Sequence, residues 1–246
     1  MCIRDRPGGG VSDLTFASLA SSSKGNAYVV SDGDTTLLLE CGLTFKELQK
    51  RLGYQVSGLT ACLVSHEHQD HAKAAAQLLK HGVPVYMSYG TAAAHKDAMD
   101  AARIMRAGEA LRFGALTVMP FRTFHNTEEP LGFLIGDGRT GERLLFAVDT
   151  ANLGVRADRL TYIAVECNYE AALLEYSDRL TVALKERIRH SHFEIDRVIR
   201  WLHKQDLSGV LTIYLLHLSA AHSRAAAWEA RFRQEFPGIN IVICKE

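Results

Sequence analysis

The sequence predicts a single α/β domain, and three observations carry that prediction. Apolar runs of strand length recur from end to end, alternating with segments whose apolar residues fall at helical spacing. No Pro- or Ser-rich linker and no short internal repeat divides the 246 residues. Hydrophobic residues make up 47% of the chain and charged residues 23%, which suits a sizeable core and not a disordered chain.

The elements follow in order. Leu14 to Leu19 and Ala27 to Val30 read as short strands, joined by the turn composition of Ser21-Ser-Ser-Lys-Gly-Asn26. Thr35 to Leu39 is a continuous apolar strand after the Asp32-Gly33-Asp34 turn. Phe45 to Leu52 has helical spacing and stops at Gly53. Leu59 to Val64 is a strand that runs into Ser65-His-Glu-His-Gln-Asp-His71, and Ala72 to Lys80 is the helix after it. Val83 to Met87 is a strand, Thr91 to Met105 a helix, and Leu111 to Phe121 and Phe133 to Ile135 are strands. Arg143 to Val148 and Tyr162 to Cys167 are apolar strands, and 171–188 is read as largely helical. Glu194 to His203 is an amphipathic helix, Val210 to Leu216 a strand, Ala220 to Phe236 a helix, and Ile239 to Cys244 a last strand.

The domain is expected over residues 13–246. Residues 1–12 read as a loose or extraneous leader, because Met1 to Val11 holds two Arg, an Asp, a Pro and three Gly and no apolar signal core. No apolar run approaches the ~20 residues that span a bilayer, so a cytoplasmic protein with no membrane partner is expected. Lys+Arg and Asp+Glu both number 28, so any site for a polyanion must be a local patch. Cys2, Cys41, Cys62, Cys167 and Cys244 are scattered, odd in number and without a C-x-x-C pair, which argues for a reducing compartment over a disulfide framework.

The eleven histidines are the compositional oddity. In an extended segment residues two apart point the same way, so His66 and His68 can reach one metal together while Glu67 points elsewhere. Asp70 and His71 fall where the chain turns into a helix and can face a second position close by. Three imidazoles and a carboxylate within six residues suit zinc first, with manganese or iron as alternatives. The plainer reading, a polar loop with Asp70 as helix N-cap, does not explain three histidines. Further candidates recur at strand ends: His125, Asp149 and His217.

These residues reach a family. Ser65-His-Glu-His-Gln-Asp-His71 resembles the H-x-H-x-D-H signature of the metallo-β-lactamase fold, and the resemblance covers nearly the whole chain. Phe124-His125-Asn126 with Pro130-Leu-Gly-Phe133 resembles the segment of the third histidine ligand. Leu145-Phe-Ala-Val-Asp149 resembles the strand of the bridging aspartate, and Leu215-Leu-His217-Leu-Ser219 the last ligand. The resemblance implies a four-layered αβ/βα sandwich. It implies one divalent ion on His66, His68 and His125, a second on Asp70, His71 and His217, and Asp149 between them. His68 stands where diiron flavoproteins of this fold carry Glu, which disfavours oxygen or nitric oxide reduction.

Closer similarity is to a compact nuclease-like branch, through the Ser-rich turn before Gly25-Asn26, Glu166-Cys-Asn168 and the late His217-Leu-Ser219. Some members of that kind are 5′-3′ DNA exonucleases, and others process tRNA 3′ ends or open cyclic nucleotides. Glu40 stands where the family has Asp supporting a ligand histidine, and Glu166 and Asn168 are expected behind the ligands. The implied reaction is phosphodiester hydrolysis by a hydroxide held between two ions, with Asp70 orienting the nucleophile. His192 and His222 are the candidate proton donors, with His222 slightly ahead because it follows His217 closely. The basic stretch Lys185 to Arg189 is a candidate phosphate contact. The expected substrate is a nucleic acid or small phosphodiester. The alternatives are a cyclic nucleotide or thioester hydrolase and, in a different class, a non-catalytic metal-binding scaffold.

Overall fold

The computed structural model describes residues 13–245, so the expected leader over 1–12 lies outside the described residues. Two mixed sheets face each other. The first runs β1 (Thr15–Ser22), β2 (Gly25–Ser31), β3 (Thr36–Leu39), β4 (Ala61–Leu63), β5 (Val85–Met87) and β6 (Arg103–Ile104), in that spatial order. The second contains β7 (Leu111–Phe113), β8 (Leu116–Arg122), β9 (Leu131–Asp137), β10 (Arg143–Ala147), β11 (Tyr162–Glu166), β12 (Thr212–Leu216) and β13 (Asn240–Ile243), again in chain order. In each sheet antiparallel hairpins lead into parallel strands: β3 to β6 in the first, β10 to β13 in the second.

The continuous apolar strands are buried on both faces, as their composition requires. In β10, Leu144 and Phe146 point to the core between the sheets, while Leu145 and Ala147 point to the outer core. In β3, Leu37 and Leu39 point inward and Leu38 outward. The outer face of the first sheet is covered by α1 (Phe45–Arg51), α2 (Gln69–Ala72) and α3 (Ala75–Lys80), through Leu48, Ala72, Ala75 and Leu78. The outer face of the second is covered by α8 (Ile195–Leu202) and α9 (Ala225–Glu235), through Val198, Ile199, Trp228 and Phe232. The result is the expected four-layered αβ/βα sandwich. Phe133 and Phe146 stack at 6.0 Å, and Tyr28 meets Phe146 edge-on at 5.3 Å. Such pairs add about 0.5–1.5 kcal/mol each beyond area burial. The Tyr28–Phe146 pair joins the two sheets, and so helps to fix the loops at their ends in one relative position.

Four expected elements differ from the structure, each for a local reason. The helix expected over 91–105 is α4 (Tyr89–Ala94), α5 (Lys96–Met99) and the edge strand β6. It breaks at His95, whose ring bonds the Glu67 carbonyl at 2.8 Å and is drawn toward the histidine loop. The strand expected over 111–121 is the hairpin β7–β8, turned at Gly114 with φ +57°. The helix expected over 171–188 is α6 (Ala171–Glu175) and α7 (Val182–Ser191), because Thr181 caps a new helix through its side chain. α9 begins at Ala225, not 220, because Ser219 Oγ accepts the His222 N–H and holds that segment as a turn.

Candidate metal centre

One edge of the sandwich collects the sequence-selected residues. His66 follows β4, His125 follows β8, Asp149 follows β10, Glu166 ends β11 and His217 follows β12. Because β10, β11 and β12 are parallel, their C-terminal ends must emerge on the same side. Glu40, Asp149 and His217 all turn in the left-handed region, with φ of 62°, 46° and 53°. Backbone held there costs on the order of 1–3 kcal/mol per residue. The strain re-aims each side chain at the point where its strand stops.

Three overlapping groups of side chains share Asp149, the third being Asp149, Glu166, His192 and His217; the first two match the ligand sets the resemblance implies. In one, His66, His68, His125 and Asp149 present ligand atoms all within 4.8 Å of one another. His68 Nδ1 lies 3.1 Å from His66 Nε2 and 3.1 Å from His125 Nε2. Nitrogens each about 2.1 Å from a tetrahedral zinc stand about 3.4 Å apart, so this spacing is close to that of a tripod of ligands. In the second group, Asp70, His71, Asp149 and His217 converge in the same way. Asp149 Oδ2 is 3.9 Å from His66 Nε2, 3.7 Å from His125 Nε2 and 3.5 Å from His71 Nε2, so it stands between the two groups. The expected cap differs: His68, not Asp70, is the N-cap residue of α2. That leaves the Asp70 carboxylate free to approach His71 Nε2 at 3.4 Å and His217 Nε2 at 3.7 Å.

The electrostatics separate the two groups. Burial pushes the His66 imidazole well below its ordinary pKa, helped by neighbouring His71, and burial also lowers His125. Both are therefore neutral, the form that ligates. At His71 burial works in the same direction, but Asp149, Asp70 and Glu40 outweigh it and raise the ring well above its usual value. At His217 burial is again overcome, by Asp149, Asp70 and Glu166, and the ring is pushed up to about 10. Burial opposes ionisation of Asp149, yet His217 and His71 hold it well below the usual carboxylate range. The same contest, won by His217 and His71, keeps Asp70 low.

Behind the ligands stands a supporting ring. Glu40 is fully buried, accepts the Ser65 N–H at 3.1 Å and faces His71 Nδ1 at 3.2 Å. Burial raises its pKa, partly offset by His71 and Ser65. Glu166 accepts the Thr150 N–H at 2.7 Å and lies 3.3 Å from His217 Nδ1. Asn168 Nδ2 donates to the His217 carbonyl at 2.8 Å. Sequence reasoning gave Ser21 no role, yet its hydroxyl accepts the His217 N–H at 2.8 Å and contacts Tyr28 Oη. The Ser-rich composition of that turn was the available signal.

The two candidate proton donors end in different surroundings. His192 lines a cavity of about 220 Å³ with His68, Asp70, His125, Asp149 and His217. Its Nδ1 lies 2.6 Å from Glu166 Oε1. Burial lowers its pKa, but Glu166 and Asp149 more than compensate and raise it. His222 does not line that cavity; its Nδ1 faces Ser219 Oγ at 3.2 Å, and burial and Lys185 lower its pKa. From the basic stretch, Arg187 reaches the cavity wall, whereas Arg189 is paired with Glu175 and Glu186. Ser23, Asn126 and Ser191 complete the lining.

Residues 35–217 match the family described as the beta-lactamase superfamily domain. The chain belongs to the beta-lactamase superfamily. Among superfamily relatives, the exodeoxyribonuclease YycJ of Bacillus anthracis is 27% identical over 227 residues, 84% of this chain and 83% of that protein. The exodeoxyribonuclease WalJ of Streptococcus pneumoniae is 25% identical over 227 residues, 83% of this chain and 81% of its own. The metallo-beta-lactamase fold protein YhfI from Bacillus subtilis superposes with a TM-score of 0.70 at 17% identity, covering 95% of this chain and 98% of that one. Unliganded yeast PDE1 does so at 0.69 and 11%, covering 96% and 98%. These superpositions show the superfamily fold.

The donor set fits a divalent ion. Asp149 Oδ1 and His217 Nε2 are buried and make no hydrogen bond among the described residues. Buried polar atoms rarely go without a partner, and a cation between the two groups supplies one to both. A cation would also satisfy the carboxylates that now draw protons onto His71 and His217, releasing those protons as it binds. The superfamily match and this cluster together make the site a divalent-metal centre.

Proposed function

We propose that this superfamily member is a two-metal hydrolase that cleaves phosphodiester bonds in nucleic acid, with zinc as first choice and manganese or iron as alternatives. The observation that carries the reading is the pair of ligand groups that share the buried Asp149. His66, His68 and His125 would hold one ion, Asp70, His71 and His217 the other, and Asp149 would bridge. Two such ions, when bound, lower the pKa of water and stabilise charge on the oxygens of an in-line displacement. The naming of YycJ and WalJ as exodeoxyribonucleases supports the substrate class.

The chain's own residues supply the rest. Glu40 fixes the His71 ring, and Glu166 fixes His217 and His192. With Nδ1 of His192 held by Glu166, its Nε2 is the ring nitrogen available to the cavity. As the phosphorus–oxygen bond to the leaving group breaks, that nitrogen gives its proton to the departing oxygen. Glu166 and Asp149 raise the pKa of the ring and so favour its protonated form. The geometry favours His192 over His222 for this role. Arg187 on the cavity wall would pair with a phosphate of the substrate. Among the described residues no helix is long and apolar enough to cross a membrane, and four buried free cysteines suit a reducing, cytoplasmic setting.

Metal analysis of purified protein should return close to two equivalents, falling in His68→Ala. Single- and double-stranded DNA, RNA and cyclic nucleotides, each with zinc or manganese, test the reaction; turnover of a thioester alone would reject it. His192→Ala should lower kcat by roughly 10²–10⁴-fold. It should also remove the alkaline limb of the kcat profile, since the protonated donor is lost as pH rises through its raised pKa.

A further inference from the structure

A second cleft, of about 240 Å³, lies on the other side of the β1–β2 turn from the metal centre. Ser22, Lys24, Gly25, Leu43, Glu47 and Arg51 form most of its wall. The turn itself joins the two spaces: Ser23 lines the metal cavity, and its neighbours Ser22 and Lys24 line the second cleft. Ser22 pairs with Gly25 across the hairpin, so only Ser23 and Lys24 separate them. The ends of such a turn are less than about 7 Å apart.

The cleft wall carries two cations, Lys24 and Arg51, and one carboxylate, Glu47. Arg51 Nε donates to Glu47 Oε1 at 2.8 Å, and its Nη1 donates to the Leu19 carbonyl. Those two bonds fix the guanidinium plane and leave Nη2 as its one nitrogen with no hydrogen-bond partner among the described residues. A guanidinium held in this way offers Nη2 as one pre-oriented, charge-assisted donor to a phosphate oxygen. Lys24 brings a second positive charge to the same wall. On α1, Lys46 and Lys50 are exposed beside Arg51, and Glu47 is the helix's one acid. The patch is local, in a chain whose total charge is zero.

We propose that this cleft is a second phosphate subsite, reached by a single polynucleotide strand that crosses the Ser23–Lys24 turn from the metal centre. The proposal rests on the phosphodiesterase reading above and deepens it. The two spaces adjoin at that turn, so a strand leaving one can enter the other. Arg187 on the metal-cavity wall and Lys24 with Arg51 beyond the turn then grip phosphates on opposite sides of the scissile bond. A mononucleotide ester engages the metal centre alone, whereas an oligomer engages both. The subsite therefore sets a preference for polymer.

Two measurements test this. The first is hydrolysis of a single-stranded DNA oligonucleotide against bis(p-nitrophenyl) phosphate, by wild type and by Lys24→Gln/Arg51→Gln. KM for the oligonucleotide should rise several-fold with kcat preserved, while the small diester is turned over as before. Equal losses on both substrates, or no change on either, overturn the subsite. The second is binding of a labelled single-stranded oligonucleotide to metal-stripped protein across a salt series. Each lost phosphate contact lowers the slope of log K against log salt by roughly 0.7 on a single strand, so the double variant should lose roughly 1.4 and Arg51→Lys should restore part of it. An unchanged slope, or no binding by wild type, overturns the subsite. Failure of the metal-loaded protein to cleave either substrate overturns the phosphodiesterase reading instead, and the binding series still decides the subsite.

Discussion

The two sheets bring residues to the metal centre in opposite ways. The first delivers His66, His68, Asp70 and His71 from one loop after β4, with Glu40 from the neighbouring strand end behind it. The second delivers His125, Asp149, Glu166 and His217 singly, each from the end of a different strand. The contiguous half depends on the conformation of one loop. The dispersed half depends on the register of a whole sheet and on two left-handed residues, Asp149 and His217. The first half should therefore fail through a local clash, and the second through loss of individual groups.

The largest effect should come at Gly42, where the loop after β3 crosses the histidine loop. A Cβ there would stand 1.6 Å from the Asp70 carbonyl oxygen. The approach is held by Cys41 N–H to the His71 carbonyl at 2.7 Å and Gly42 N–H to the Asn26 carbonyl at 2.9 Å. Backbone cannot yield as a flexible side chain can, so Gly42→Ala must push the two loops apart. A loss of about 3 kcal/mol is expected, at the upper end for overpacking. Denaturant midpoint and metal content should fall together; a variant with wild-type metal content would show that the loop is not held from this side.

Asp149→Asn sharpens the same contrast from the second sheet. Asn tolerates the left-handed backbone at that position, so the fold should persist while the shared carboxylate is lost. Metal analysis should show both ions depleted, where His68→Ala depletes chiefly one. Equal depletion in the two variants would mean that Asp149 does not serve both groups.

The contrast also explains what was legible beforehand. The His66–His71 loop declared itself by spacing alone, because consecutive residues in one loop share a site. His125, Asp149 and His217 were separately unremarkable and became readable only through family order, since sheet pairing decides that their strand ends meet. The inner and outer faces of β3 and β10 followed from continuous apolar composition. The misread helices over 91–105 and 171–188 failed for non-local or capping reasons: His95 is held by Glu67, and Thr181 starts a helix inside an apparently helical run. The roles of Ser21 and Arg51 depend on partners distant in sequence, His217 and the cleft behind the hairpin. No spacing rule reaches those.

Glu40 and Glu166 are the matched supports of the two halves, and exchanging each for Gln separates their duties. Glu40 touches a ligand ring and the N–H and side chain of Ser65, and neither candidate proton donor, so Glu40→Gln should weaken metal binding by roughly 10–100-fold, the usual cost of losing such a partner. Competition with a chelator measures it, and kcat at saturating metal should change little. Glu166 touches both His217 and His192. Glu166→Gln should therefore lower kcat even when metal is saturating and move the alkaline limb to lower pH, because the carboxylate that raises His192 is gone. A purely metal-affinity effect at Glu166 would remove its link to the proton donor.

The smallest effect should be at His222, and it is informative for that reason. His222 and His192 both lie near His217 in the fold or the sequence, yet only His192 faces the metal cavity. His222 holds a turn through its N–H and carbonyl, which bond Ser219 Oγ and the Glu170 N–H. Those bonds are made by backbone, so His222→Ala leaves them intact and removes only the contact of its ring with the Ser219 hydroxyl. A change in kcat of less than about threefold is expected, against the roughly 10²–10⁴-fold range for a general acid. A loss at His222 as deep as that at His192 would place the proton donor on the β12 side of the site, and the two-nitrogen arrangement of His192 with Glu166 would then serve only to position His217.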